Sequence, residues 1–274
     1  MVAVTTQAQE RGYAEADPTA DIEGYDAAAK ASILASLAFH TRIGGADVHR
    51  EGITRITPED IAAARELGYV VKLLAIARLT ADGPSAHGRP DDPAVHGRAG
   101  GAVSVRVHPA LVPVGHPLAA VHGPYNAIVV ESRNAGRLMF SGPGAGGAPT
   151  ASAVVGDLVT VARNRVQGAS YPAMSPDTGR RAAPIEDAIT SYYVSLTVHD
   201  APGVLARIAG VFAKHGVSLS TVRQRAHHGQ SGRASLDIMT HAARDAEVAD
   251  TIAELRAMTQ IVTGPIRQIR VEGD

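Results

Sequence analysis

Cysteine and tryptophan are both absent from this 274-residue chain, and phenylalanine occurs three times. The lack of thiols excludes disulfide staples and thiolate chemistry. With aromatic residues at 4%, a binding site here has to be built from polar groups and small side chains. Charge of either sign is scarce in excess: the formal net charge is −1, and no long basic stripe occurs, which argues against nucleic acid as the main partner. No apolar run reaches membrane-spanning length. The start, Met1 to Gln7, lacks a basic region followed by an apolar core, so a cytoplasmic protein is expected. The twelve histidines are scattered, with no H-x-x-x-H or H-E-x-x-H spacing, and no metal site is expected.

Hydrophobic residues make up 45%, enough for packed cores in two modest domains. Helix formers from Asp26 onward, with Ile33, Leu34, Leu37 and Ala38 at helical spacing, predict a helix over about 25–40 with those four as its buried stripe. Thr57-Pro58-Glu59-Asp60 reads as a helix start and Gly68 as its stop. Val71, Leu73, Ala75, Ala77 and Leu79 alternate as a strand, and Val103, Val105 and Val107 repeat the pattern. The Gly-, Pro- and His-rich stretch 81–101 between them reads as a hairpin connection. Two further strands are expected at about 126–132 and 136–141. A helix over about 150–166 follows, with Val154, Leu158 and Val161 inward. Gln167 to Pro184 has no periodicity and marks a linker. Beyond it, the order is β-α-β-β-α-β, the ferredoxin-like topology. The fold class expected is α+β, with a first domain over 1–166, a linker over 167–190 and a second domain over 191–274.

The stretch from Gly12 to Lys30 places Glu15, Asp17, Asp21, Glu23 and Asp26 ahead of one lysine. Asp26 and Lys30 are four apart and share a helix face. One reading is a solvated acidic loop followed by a surface ion pair. The other is a pocket for a cationic group such as an α-ammonium, with Lys30 as proton donor.

The run GYxExDPxxDxxGxDxxxK resembles the substrate-binding signature of homoserine dehydrogenases. The similarity continues through His49-Arg-Glu-Gly-Ile53, Leu67-Gly-Tyr69, Lys72-Leu-Leu-Ala75 and Ser141 to Ala153, from about residue 10 to the C-terminus. The resemblance implies L-aspartate-4-semialdehyde and L-homoserine as the substrate pair, NAD(P) as cofactor, and a place in threonine, methionine and isoleucine biosynthesis. It also implies Lys30 in proton transfer, Asp26 as its orienting partner, Glu15 and Asp21 on the polar end of the amino acid, and Tyr13 and Gly12 shaping the loop. Such enzymes begin with a nucleotide-binding domain. This chain is expected to start after that domain, and either to act with a separately encoded nucleotide-binding partner for hydride transfer or to be a shortened version of the enzyme.

Gly142 to Gly147 fits G-x-G-x-x-G, but no βαβ unit surrounds it, and no acid lies about 20 residues on to hold a ribose. It reads instead as a glycine loop at a helix start, with Gly144 and Gly146 as weak cofactor contacts implied by the resemblance, or as a tight turn before Pro149. In the second domain, Asp200-Ala-Pro-Gly-Val-Leu205 resembles the first strand-to-helix turn of ACT domains, regulatory modules that bind amino acids. Asp200 is expected to cap the following helix. The resemblance implies that Asp200 contacts the ammonium of a threonine-like effector, whose carboxylate meets the amides near Gly203 and Val204. It further implies a dimer. Two other functions fit the same residues. One is cofactor-free acid–base or imine chemistry at Lys30, and the other is a non-catalytic amino-acid-sensing subunit.

Overall fold

The structure, a computed structural model, describes residues 17–80, 101–168, 177–226 and 232–273. Gly12, Tyr13 and Glu15 lie outside these residues, as do nearly all of the 81–101 connection and His227 and His228. In chain order the elements are α1 (Thr19–Ile22), α2 (Tyr25–Phe39), β1 (His49–Arg50), α3 (Pro58–Glu66), β2 (Tyr69–Thr80) and β3 (Ala102–Pro113). A hairpin, β4 (Tyr125–Ser132) and β5 (Gly136–Pro143), leads into the long helix α4 (Gly147–Val166). Then come β6 (Ala182–Ala183), β7 (Ile189–His199), α5 (Val204–Lys214), β8 (Leu219–Ala226), β9 (Arg233–Thr240), β10 (Ala243–Arg244), α6 (Asp245–Ala257) and β11 (Arg267–Val271).

The α+β class and the βαββαβ order of the second half are both present. Val194, Leu196 and Val198 of β7 are buried against Ile208 and Phe212 of α5 and against Val248, Ile252 and Leu255 of α6. Leu205 of α5, apolar and at helical spacing with Ile208 and Phe212, is nonetheless 40% exposed, because it opens onto a cleft described below.

β3 joins the two halves. One edge pairs antiparallel with β2 along its whole length, from Tyr69 opposite Pro113 to Thr80 opposite Ala102. The other edge takes three short parallel partners in turn: β6 at Val103 and Ser104, β1 at Arg106 and Val107, and β11 at Ala110 and Leu111. From β11 the sheet continues antiparallel through β7, β9 and β8. The final strand of the ferredoxin-like half is thus hydrogen-bonded into the sheet of the first half. α3 covers the seam, with Ala63 and Ala64 packed among Leu111, Tyr193 and Ile269. Its start is set by a reciprocal cap: Asp60 N donates to Thr57 Oγ1 at 3.3 Å, and Thr57 N donates to Asp60 Oδ2 at 3.0 Å.

Two expected buried stripes face outward. On α2, Ile33 is 61% and Leu37 57% exposed, with Leu34 and Ala38 exposed beside them. The face that turns inward is Ala28, Ala31, Ser32 and Ala35. β3 already fills the space with Val103, Val105 and Val107, so the helix comes in on its small side chains and leaves the large ones outside. On α4, Val154, Leu158 and Val161 are all more than half exposed. Of its twenty residues only Asn164 is half-buried, and the others are exposed. α4 and the β4–β5 hairpin stand off the core as an arm, so no core face was available to either apolar side of the helix.

Candidate active site at the start of α2

The site is built where the acidic stretch crosses β1. Asp17 begins α1 by accepting hydrogen bonds from Thr19 N at 3.0 Å and Thr19 Oγ1 at 2.6 Å. These bonds, the side-chain one foremost, hold the Asp17 carboxyl below its ordinary range. The stretch expected as an irregular loop therefore contains one helical turn. Gly24 then adopts φ +76°, in the left-handed region, and caps α2. That conformation is open to glycine at no steric cost, and it swings the chain so that Asp26 falls in the first turn of α2.

Lys30 Nζ donates to Asp26 Oδ2 at 2.6 Å, one helical turn away. Both side chains are about half exposed, so the pair stands at the surface, open to a small molecule. Asp21 is exposed on α1, the single helical turn that precedes α2. The structure thus brings together Lys30 and Asp26 and sets Asp21 on the adjoining turn. Glu15, Tyr13 and Gly12 fall outside the described residues.

The segment His49 to Ile53 seats the acidic turn. Ile53 N donates to Ile22 O at 2.9 Å. Arg50 Nη1 donates to the carbonyl of Glu23, and the guanidinium carbon of Arg50 lies 3.5 Å from the Tyr25 ring centroid. This cation–π contact clamps both sides of Gly24. Gly52 is where the chains touch: a β-carbon there would meet Glu23 Cα and Ile22 O at 2.8 Å. Sequence reasoning did not single out Arg50 or Gly52, although both lie inside a stretch whose similarity was noted.

The glycine loop ahead of α4 runs from Gly142 to Gly146. The space over Gly144 is taken by the side-chain amide of Asn126, which a β-carbon there would meet at 2.0 Å. The face that close approach of a pyrophosphate would need is filled by the chain's own Asn126. Gly146, with φ +120°, caps α4. These residues do not fit a dinucleotide on their own, and the loop is the strand-to-helix turn of the arm.

In the second half, Val198, Asp200, Ala201, Gly203, Leu205 and Gln224 are among the residues lining a cleft of about 210 Å³. Asp200 does not cap α5. The helix begins at Val204 after Gly203 in the left-handed region, with no side-chain cap, and Asp200 Oδ1 accepts from Gln224 Nε2 at 3.0 Å. Gly203 stands between Asp200 and the first helical residue as the N-cap, and Asp200 lines the cleft instead. Gln224, from the edge strand β8, had no signal in the sequence, where it reads as one polar residue in an alternating strand. Among the described residues no group of three or more His, Asp or Glu side chains could hold a metal ion. None of the described helices is long and apolar enough to cross a membrane.

Residues 1–159 match the family model for homoserine dehydrogenase, and residues 192–259 match that of the ACT domain. This chain belongs to the homoserine dehydrogenase family. It is 52% identical to the homoserine dehydrogenase of Mycobacterium tuberculosis over 266 residues, which is 96% of this chain and 57% of that one. It is 45% identical to the Corynebacterium glutamicum enzyme over 98% of this chain and 56% of the relative. Among solved structures, a homoserine dehydrogenase from Thiobacillus denitrificans superposes with a TM-score of 0.84 at 36% identity, covering 98% of this chain and 58% of that chain. The chain therefore spans somewhat under three-fifths of the length of these family members.

Proposed function

We propose that this chain supplies the amino-acid-binding and proton-transferring half of a homoserine dehydrogenase, interconverting L-aspartate-4-semialdehyde and L-homoserine. The observation that carries the reading is the Lys30–Asp26 pair, 2.6 Å apart and open to solvent beside a carboxylate-bearing turn, in a member of this family. Reduction of the aldehyde needs a proton for the developing alkoxide. The Lys30 ammonium stabilises that oxyanion and donates the proton, while Asp26 one turn earlier keeps Lys30 aimed. Asp21 and Glu15 hold the substrate ammonium, with Tyr13 and Gly12 shaping the loop. The family takes its hydride from NAD(P). In this reading the nicotinamide is held by a nucleotide-binding unit outside the described residues, and Gly144 and Gly146 at most border it. The exposed apolar arm supports such a unit, because a helix that is apolar on several sides is ordinarily covered.

In the same proposal residues 1–166 form the catalytic domain, 167–190 the linker and 191–274 the regulatory domain. The cleft beside Asp200, Gly203 and Val204 takes a threonine-like effector, and two copies associate. The Asp200–Gln224 cleft also supports a second reading, an amino-acid sensor without turnover.

The test is NADPH consumption with aspartate semialdehyde, by the chain alone and with a nucleotide-binding unit of a family member added, alongside calorimetry with L-homoserine. Homoserine binding with turnover only in the reconstituted mixture supports the proposal. Threonine binding without homoserine binding or turnover favours the sensor. Borohydride trapping of an adduct at Lys30 would point instead to imine chemistry.

A further inference from the structure

Arg270, on the last strand of the second half, is 7% exposed and is shared between both halves. Its Nη2 donates to Asp245 Oδ1 at 2.5 Å and its Nε to Tyr192 Oη at 3.2 Å, both within the ferredoxin-like half. Its Nη1 donates to Glu51 Oε1 at 2.6 Å, across the seam. Glu51 also meets His49 Nε2 at 2.8 Å, and its backbone N donates to Val107 O at 2.8 Å. The residue before it is Arg50, which holds the Glu23 carbonyl and lies over Tyr25. The residue after it is Gly52, on which Glu23 rests. The three consecutive residues thus grip the second half with one side chain and the acidic turn with the other two positions.

We propose that Arg270 is a positioning residue for the substrate turn, acting through Glu51 and Arg50. The inference rests on the reading of the acidic turn as the amino-acid site, but its mechanical part does not. A two-residue strand held to β3 at His49 and Arg50 has little purchase of its own. Beyond the single backbone bond from Glu51 N to Val107 O, the ion pair to Arg270 is the side-chain tie that holds Glu51 against the sheet. Loss of that pair lets the segment shift, and Arg50 and Gly52 move with it. A displacement of β11 at Arg270 then reaches the turn before Asp26 by the same route, through Glu51 and Arg50.

The test is amide exchange at Gly24 and Ile53, whose N–H groups bond to Asp21 O and Ile22 O, taken as a ratio to exchange in α5 so that a global loss of stability cancels. Glu51→Gln keeps the side-chain volume at a position whose side chain is 44% exposed and removes the charge, so it folds. Arg270→Lys keeps the charge but loses the fork. Both variants are expected to raise the ratio by about threefold or more, as loss of a charge-assisted hydrogen bond predicts. Glu131→Gln, which breaks the ion pair of Arg137 and Glu131 on the β4–β5 hairpin, is expected to leave it unchanged. An unchanged ratio in Glu51→Gln overturns the proposal, as does a rise confined to β7 and β11 in Arg270→Lys. Calorimetry with L-homoserine separates the two readings. Weakened binding in Glu51→Gln by a similar factor supports both. Absence of binding by the unsubstituted chain sinks the amino-acid site alone, and the exchange ratio still decides the role of Arg270.

Discussion

Glu23 lies across Gly52 so closely that a side chain there has no room: a β-carbon would sit 2.5 Å from Glu23 Oε2 and 2.8 Å from Glu23 Cα. Backbone cannot swing aside as a flexible side chain can. Gly52→Ala is therefore expected to lift the acidic turn, costing about 1–3 kcal/mol of stability and weakening homoserine binding by about tenfold or more. Gly45→Ala, where a β-carbon would meet nothing within 4 Å, is the control. Equal binding by the two variants in calorimetry would show that the seating of the turn does not matter to the ligand.

Lys30 is expected to separate stability from activity. Its pair with Asp26 is exposed and one turn apart, a class worth about 0.3–0.5 kcal/mol. Lys30→Met should leave the melting temperature within a few degrees, by the ordinary scaling of stability to melting point. Turnover of the semialdehyde in the reconstituted mixture should fall by about 10²–10⁴, the usual size of general-acid contributions. A variant that melts normally and turns over normally removes Lys30 from the chemistry.

Acid lability is expected from the seam between the halves. His108 is fully buried, and its Nε2 makes no hydrogen bond, with Glu272 Oε1 3.7 Å away. Burial, and then the neighbouring Arg270 charge, push its pKa down from 6.5 to about 4. A group whose native pKa is depressed binds fewer protons folded than unfolded across that window, so stability falls as pH drops from 6.5 towards 4. On this account about 2 kcal/mol should be lost between pH 7 and pH 5. Glu51 extends the loss further down. Burial opposes its ionisation, but the hydrogen bond from His49 and the charge of Arg270 outweigh that and hold it at about 2, from an ordinary 4.5. Its contribution is whole above 4.5 and disappears as pH falls towards 2. Urea unfolding at pH 7 and pH 5 checks the first step. A decline as steep in His108→Gln as in the parent chain would place the titrating group elsewhere.

The parts legible in the sequence are those where one local signal had one meaning. Val194, Leu196 and Val198, followed by a glycine-ended apolar helix, could hardly be anything but β7 and α5. The Lys30–Asp26 pair follows from helical spacing alone. The misread parts are those where burial depends on distant chain. In β3 the alternation of valines marks the strand and leaves the burial of Ser104, Arg106 and His108 between them open. All three are buried, because β11 and the chain end lie alongside and Glu272 Oε1 accepts from Arg106 Nη2 at 2.7 Å. The two apolar faces of α2 are equally regular, and only the presence of the β3 valines decides that the alanines go in. No local pattern announces that Asp200 would turn to Gln224.

The second-half cleft yields a prediction through Gln224. Its amide holds Asp200 Oδ1 at 3.0 Å, leaving the other carboxylate oxygen to meet a ligand ammonium. Gln224→Leu should leave the fold intact, since Gln224 is exposed, and weaken threonine binding by about tenfold, the worth of one lost orienting hydrogen bond to a charged group. Unchanged binding in calorimetry would mean that Asp200 needs no orientation or does not meet the ligand.

The arm provides the last prediction, and the one with the largest expected effect. Val155 and Leu158 of α4 are 56% and 63% exposed, and neighbouring Val159, Ala162 and Val166 extend the apolar surface along the helix. Exposed positions tolerate charge, so Val155→Glu combined with Leu158→Glu should change the unfolding free energy by only about 0.5 kcal/mol. The same charges placed in a desolvated contact cost several kcal/mol, so any association that covers α4 should be lost outright. Sedimentation of the parent and the double variant, each alone and with the nucleotide-binding unit, reads this directly. Loss of the complex with an unchanged melting temperature would mark α4 as the docking face. Persistence of the complex would move that face elsewhere, for instance to the outer side of α2, where Ile33 and Leu37 form another uncovered apolar stripe.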